Sequence, residues 1–333
     1  MRTRTAFLAT YLLALSPASA GVRVGDPMTD IRLPNLLHAE GADSLHDLLD
    51  RPVVIMEWAT GNANSIQYGV ATSRGLHEKY AAKGLVVVLL ESSSGSEIAD
   101  IEAFLMREAP GPRLPLCGAV NLGVEREGEQ FIPRFVVIGV DGTLVEEGVL
   151  WNEGKELETA VKSEMAKLKA GWGTDRSIRK ARALLHGKGD VAGARAAWAA
   201  LADGDAPGDE VDALKMEIDR RLERLRVATE HHLESGECAR AVAALDALAT
   251  ATSGVAAWEE PVAALRARTS GATFAAEVAL EKKLTKITRG FAKKRPKASV
   301  AKKLEKLADE VPGSSVARRA RRLADRVARA TSG

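Results

Sequence analysis

Cys117 and Cys238 are the only thiols in a chain of 333 residues. Nucleophilic attack and metal ligation by cysteine both need the thiolate, which a neighbouring cation or a helix N-terminus favours. Cys117 sits in LPLCGAV, an apolar stretch with no such cation, so it reads first as a small buried hydrophobe. A disulfide with Cys238 and a reactive thiol are the other two uses open to it. Two cysteines exclude a disulfide-rich scaffold and a four-cysteine zinc module. His231 and His232 are adjacent, so on a helix they point about 100° apart and do not converge on one ion. His231 with Glu234 has better spacing but supplies only two ligands. No metal and no cofactor are expected.

Charge offers a second kind of chemistry. The totals, 47 Lys+Arg against 45 Asp+Glu, give a formal charge of +2 that hides a strong asymmetry. Residues 281–333 carry 17 basic and 5 acidic side chains, whereas residues 21–280 carry 28 and 40. A basic tail on an acidic body can be a solvated helix face, a contact for an anionic surface, or a dock onto the body itself. Phe291 is the only aromatic of the tail, so base stacking is poorly supplied and nucleic acid is not an expected partner.

Elements must position these groups, and the first twenty residues are set apart from them. A basic start with Arg2 and Arg4, an apolar run over residues 6–15 and an Ala-x-Ala ending at Ala20 have the layout of a secretory signal peptide. The apolar run is shorter than the roughly 20 residues a membrane span needs. Export to a periplasmic or extracellular space is expected, with no transmembrane segment after cleavage. From residue 22 to about 170 the pattern is α/β. Residues 52–58 (PVVIMEW) and 85–90 (LVVVLL) read as buried parallel strands joined by a helix over 74–83. Ser94 and Glu97 form a possible capping box for a helix through Glu108. Asp141-Gly142 between two apolar runs predicts a hairpin, and a helix over 155–170 follows.

This order resembles the thioredoxin-like fold, and the segment VGDP, SLHDLL, then PVVIMEWAT resembles the redoxin branch of that family, which includes peroxiredoxins and exported thiol–disulfide oxidoreductases. Phe131-Ile132-Pro133 ahead of a strand resembles the family's cis-proline loop. The resemblance implies an active-site cysteine just after Trp58-Ala59-Thr60, where the helix opening would stabilise a thiolate. Here the sequence reads Gly61-Asn62-Ala63-Asn64-Ser65, and no cysteine precedes Cys117. The family's two thiols fall on Asn62 and Ser65, or the nucleophile on Ala63 in a register shifted by one. Asn62 and Ser65 are expected to be helix caps, because the nearest histidine, His77, is twelve residues beyond Ser65. The resemblance further implies a peptide-binding groove lined by Trp58, Asn62, Ser65, Ile132 and Pro133.

Past Gly171-Trp172-Gly173 the chain turns helical through residues 174–333. Gly189-Asp190 with Ala194, Trp198 and Leu201 aligns with Gly236-Glu237 and Ala241, Leu245 and Leu248, an offset of 47 residues. Small residues at the alanine positions let helices approach closely. The pattern resembles the second helix of a tetratricopeptide repeat, and a weaker copy runs through Val300, Leu304 and Leu307. Taken together, these features predict an exported thioredoxin-like domain, without the family's chemistry, ahead of helical repeats that bind a protein or extended peptide. The alternatives are a redoxin enzyme acting through Cys117 and a tether holding an anionic envelope surface through residues 281–333.

Overall fold

In the strand Val53–Trp58 (β1), alternate side chains enter two different cores. Val54, Met56 and Trp58 join one cluster, while Val53 and Ile55 join another. A period of two with both faces buried is what a central strand requires. The computed structural model describes residues 21–93, 97–125, 131–202, 207–291 and 293–332. The signal-like residues 1–20 and Ser94 of the expected capping box lie outside that set.

Three helices cover one face of the sheet. After β1 the chain enters a helix through a π-helical turn, Ser65–Val70, and continues as α1 (Ala71–Tyr80), earlier than the expected start at residue 74. Gly84, with φ 108°, ends the crossover, and β2 (Val86–Glu91) pairs parallel with β1. Then follow α2 (Ile98–Glu108), the short edge strand β3 (Leu116–Cys117), β4 (Arg134–Ile138), β5 (Leu144–Val149) and α3 (Leu150–Ala170). The sheet order is β3-β2-β1-β4-β5, with β4 and β5 antiparallel as the Asp141-Gly142 turn predicts. This order, its strand directions and the helical crossover make a thioredoxin-like α/β sheet domain.

The opposite face is covered without a long helix. Val22, Met28, Leu33, Leu45 and Leu48, from the irregular N-terminal segment, pack there on Val88, Leu90 and Val136. Buried β-branched strands therefore predict a covered face, yet not what covers it.

Everything after Gly171 is helical among the described residues: α4 (Arg176–Arg182), α5 (Val191–Ala202), α6 (Gly208–Ser235), α7 (Cys238–Ala251), α8 (Ala256–Arg268), α9 (Gly271–Thr288), α10 (Ala298–Ala308) and α11 (Ser315–Ser332). No described helix is long and apolar enough to cross a membrane. Asp175 caps α4 through Ser177 and Ile178, and a buried Arg182–Glu217 pair at 2.7 Å ties α4 to α6. Ala194 and Ala241, the aligned small positions, are both fully enclosed. Gly236 takes φ 70° and its α-carbon sits where any side chain would meet the backbone of Val316, so glycine is required on both counts.

The basic tail does not stand apart. Helix α11 packs on α2 of the sheet domain and on α6. Arg326 reaches the buried Glu102 at 2.5 Å, Arg329 reaches Asp100 at 2.7 Å, and Arg295 reaches Glu108 at 3.0 Å. Of the uses open to the tail, docking onto the acidic body is the one these pairs make.

Candidate functional site

The C-terminal ends of β1 and β2 and the start of β4 meet at one edge of the sheet, where the family resemblance locates chemistry. Ser92 donates to the carbonyl of Trp58 through its backbone N–H at 2.7 Å and its hydroxyl at 3.0 Å. The fully buried carboxylate of Glu91 accepts from the Thr60 N–H at 3.0 Å and from the Ser93 hydroxyl. These bonds fix the chain as it leaves the strand. Asn62 then caps the helix: its side-chain oxygen accepts from the Ser65 N–H at 3.0 Å. The helix opening is thus capped by a neutral amide, with no thiol among its residues.

Ser65 is fully buried and its hydroxyl has no hydrogen-bond partner among the described residues, so it neither caps the helix nor reaches a substrate. Ala63 is exposed and Asn62 partly exposed. Trp58 is completely enclosed and its ring lies 6.3 Å from that of Phe104; it supports the site from below instead of lining it. Pro133 is buried against Gly69, close enough that a side chain at 69 would collide with the ring. The Ile132–Pro133 peptide is cis. Pro133's carbonyl accepts from the Leu150 N–H at 3.0 Å, and the sheet ladder begins only at Arg134. Of the residues expected to line a groove, Asn62 and Ile132 retain some exposure, and the other three are buried.

What the sequence reading missed is aromatic. Among the described residues five large hydrophobic side chains are exposed, and three of them surround this edge: Tyr68 (48%), Phe131 (49%) and Trp151 (44%). The Phe131 and Trp151 rings meet at a tilt of 58° with centroids 6.2 Å apart, and Tyr68 precedes the Gly69 that holds Pro133. Trp151 stands in the first turn of α3, beside the Leu150 that bonds Pro133. Their spacing in sequence looks like ordinary core residues; only their shared exposure distinguishes them.

The two cysteines are free and far apart in the packing. Cys117 lies on β3 in the core under the N-terminal segment, whereas Cys238 opens α7 in the core of α9 to α11. The disulfide is not formed. Burial pushes the Cys117 thiol up to about 12; burial, with Glu281 and Glu277 beside it, does the same for Cys238. Cys117 sits two strands from β1, on the opposite sheet face from Trp58.

No family model and no curated protein matches the chain. Among solved structures, the chain is similar to a thiol:disulfide interchange protein DsbE from Chlorobium tepidum, at 19% identity over 43% of this chain and 99% of that one, with a TM-score of 0.34. It is also similar to a thiol-disulfide isomerase from Corynebacterium glutamicum, at 14% identity over 40% of this chain and 96% of that one, with a TM-score of 0.32. A thioredoxin-like superfamily protein is similar at 12% identity over 42% and 96% of the two chains, with a TM-score of 0.36.

Proposed function

We propose that this chain is an exported binding protein whose thioredoxin-like domain has exchanged thiol chemistry for recognition of an extended peptide or protein segment. The observation that carries the reading is the pairing of a thiol-free, amide-capped helix opening with an exposed aromatic rim. Tyr68, Phe131 and Trp151 offer large contact area at low side-chain entropy cost. Ile132, outside the sheet ladders, offers main-chain groups for strand-like pairing. Behind the domain, α4 to α7 are read as two tetratricopeptide-like units: α5 and α7 both pack on α6 and each follows a glycine with φ near 70°. The domain limits, residues 22–170 and 174–333, and the cleavable address at 1–20 belong to the same reading. Redox action through Cys117 is disfavoured by its burial, and an envelope tether by the internal ion pairs of residues 281–333.

The test is a screen of extended peptides for binding, repeated with Trp151→Ala and Phe131→Ala. Each substitution is expected to weaken the best peptide about tenfold or more while changing stability by about 0.5 kcal/mol at most. Unchanged affinity in both variants would remove the rim from the reading.

A further inference from the structure

Between the N-terminal segment and helices α6 and α7 lies a cavity of about 540 Å³, a size ordinary for small-molecule sites. Its wall holds five arginines: Arg51 from the end of the N-terminal segment, Arg220, Arg221 and Arg224 from α6, and Arg240 from α7, which pairs with Glu237 at 3.3 Å. The carboxylates nearby do not balance them. Asp50, at φ 63°, is fully engaged, accepting from Arg220 at 3.0 Å and from Arg224 at 2.9 Å. Asp47 is turned to the Ser44 backbone and hydroxyl, and Glu223 to Arg226. Glu40 is exposed, and its carboxylate lies 4.0 Å from the His232 ring nitrogen Nε2.

Arg51 and Arg221 are left with no hydrogen bond or ion pair among the described residues. The Nε groups of Arg51, Arg220 and Arg221 are buried without a partner. Burial first, and then the charges of Arg224 and Arg221, bring Arg51 down to about 10 despite Glu40 and Asp50. Crowded, desolvated guanidinium groups with idle donors cost stability unless an anion meets them. Opposite them, Ala243, Ala244 and Ala247 of α7 form an apolar wall.

We propose that this cavity binds a small organic phosphate, its phosphate on Arg51 and Arg221 and its apolar body along the alanine wall of α7. A phosphate presents three oxygens and accepts from several guanidinium groups at once, which a single carboxylate does with only two. The alanine wall gives no polar partner and suits a hydrocarbon or ring. Nothing in this assignment depends on the aromatic rim.

The experiment is titration calorimetry of the full chain at low salt with phenyl phosphate, inorganic phosphate and phenol. Phenyl phosphate is expected to bind more tightly than inorganic phosphate, and phenol not at all. Arg51→Gln and Arg221→Gln should each weaken phenyl phosphate about tenfold, the loss of one charge-assisted hydrogen bond. Glu40→Gln should tighten it about threefold by removing a competing negative charge. That gain is a result no misfolded variant gives, so it decides the matter even if an arginine variant fails to fold. Absence of phenyl phosphate binding, wild-type affinity in both arginine variants, or unchanged affinity in Glu40→Gln overturns the site. Equal affinity for inorganic phosphate and phenyl phosphate overturns the organic part of the assignment.

Discussion

The helix opening after β1 and the seam between the sheet domain and the helices solve the same problem in opposite ways. Both bring polar groups into partial burial. At the opening the Ser65 hydroxyl, the Trp58 indole N–H and one Glu91 oxygen are buried without a partner, while the Ser65 and Thr60 backbone N–H groups are met by the Asn62 amide and the Glu91 carboxylate. Along the seam, Arg326 of the tail helix meets Glu102, which Arg113 and His38 also reach, and a second ionic cluster lies within the helices, where Glu237 meets Arg319, Arg240 and His232. The comparison teaches that the helix opening is capped by an amide, while Arg–carboxylate pairs tie the tail helix to the sheet domain.

Breaking the seam should have the largest effect. Glu102→Leu leaves the partly buried Arg326 and the more exposed Arg113 without their carboxylate, and a loss of about 3 kcal/mol is expected in urea denaturation. A loss under about 1 kcal/mol would mean that charge does not hold the tail helix in place. Acid titration probes both clusters. Burial alone would raise Glu237, but the His232 hydrogen bond and the Arg319, Arg240 and His232 charges overcome it and hold the carboxyl at about 2. Glu102 lies below the usual range for the same kind of reason: burial opposes, and His38, Arg326 and Arg113 prevail. A depressed folded value means stability that is present above the unfolded value near 4.5 and lost as pH falls toward 2. For Glu237 the loss is about 3 kcal/mol at most, and Glu237→Gln should flatten the thermal unfolding profile across that window.

At the opening, effects should be smaller and steric or local. Gly69→Ala presses a methyl group on Pro133; about 1 to 2 kcal/mol is expected to be lost, with weaker peptide binding. Asn62→Ala removes one cap and should cost about 1 kcal/mol by the same denaturation. If Asn62→Ala instead exceeds Glu102→Leu, the contrast between the two regions fails.

The strands, the hairpin at Asp141-Gly142 and the helical turn after Gly171 were legible because each is written locally, in apolar runs and in glycine positions. The charge count also anticipated that residues 281–333 could dock on the acidic body. Two features were not legible. The aromatic rim joins Tyr68, Phe131 and Trp151, which lie on three separate segments and share only their exposure. The arginine cavity joins Arg51 to Arg221 and Arg240 across the whole fold, and no local pattern links residues that far apart. Trp58 was read as lining because it stands beside the helix opening, yet strand alternation turns it inward.

The central claim is that recognition, not thiol chemistry, occupies the sheet edge. Insulin-disulfide and peroxide turnover, measured on the wild-type chain and on Cys117→Ser with a thiol titration of each, tests it most directly. The account predicts no turnover above background in either protein and a wild-type thiol that reacts only on unfolding. Turnover by the wild-type chain that disappears in Cys117→Ser would contradict it.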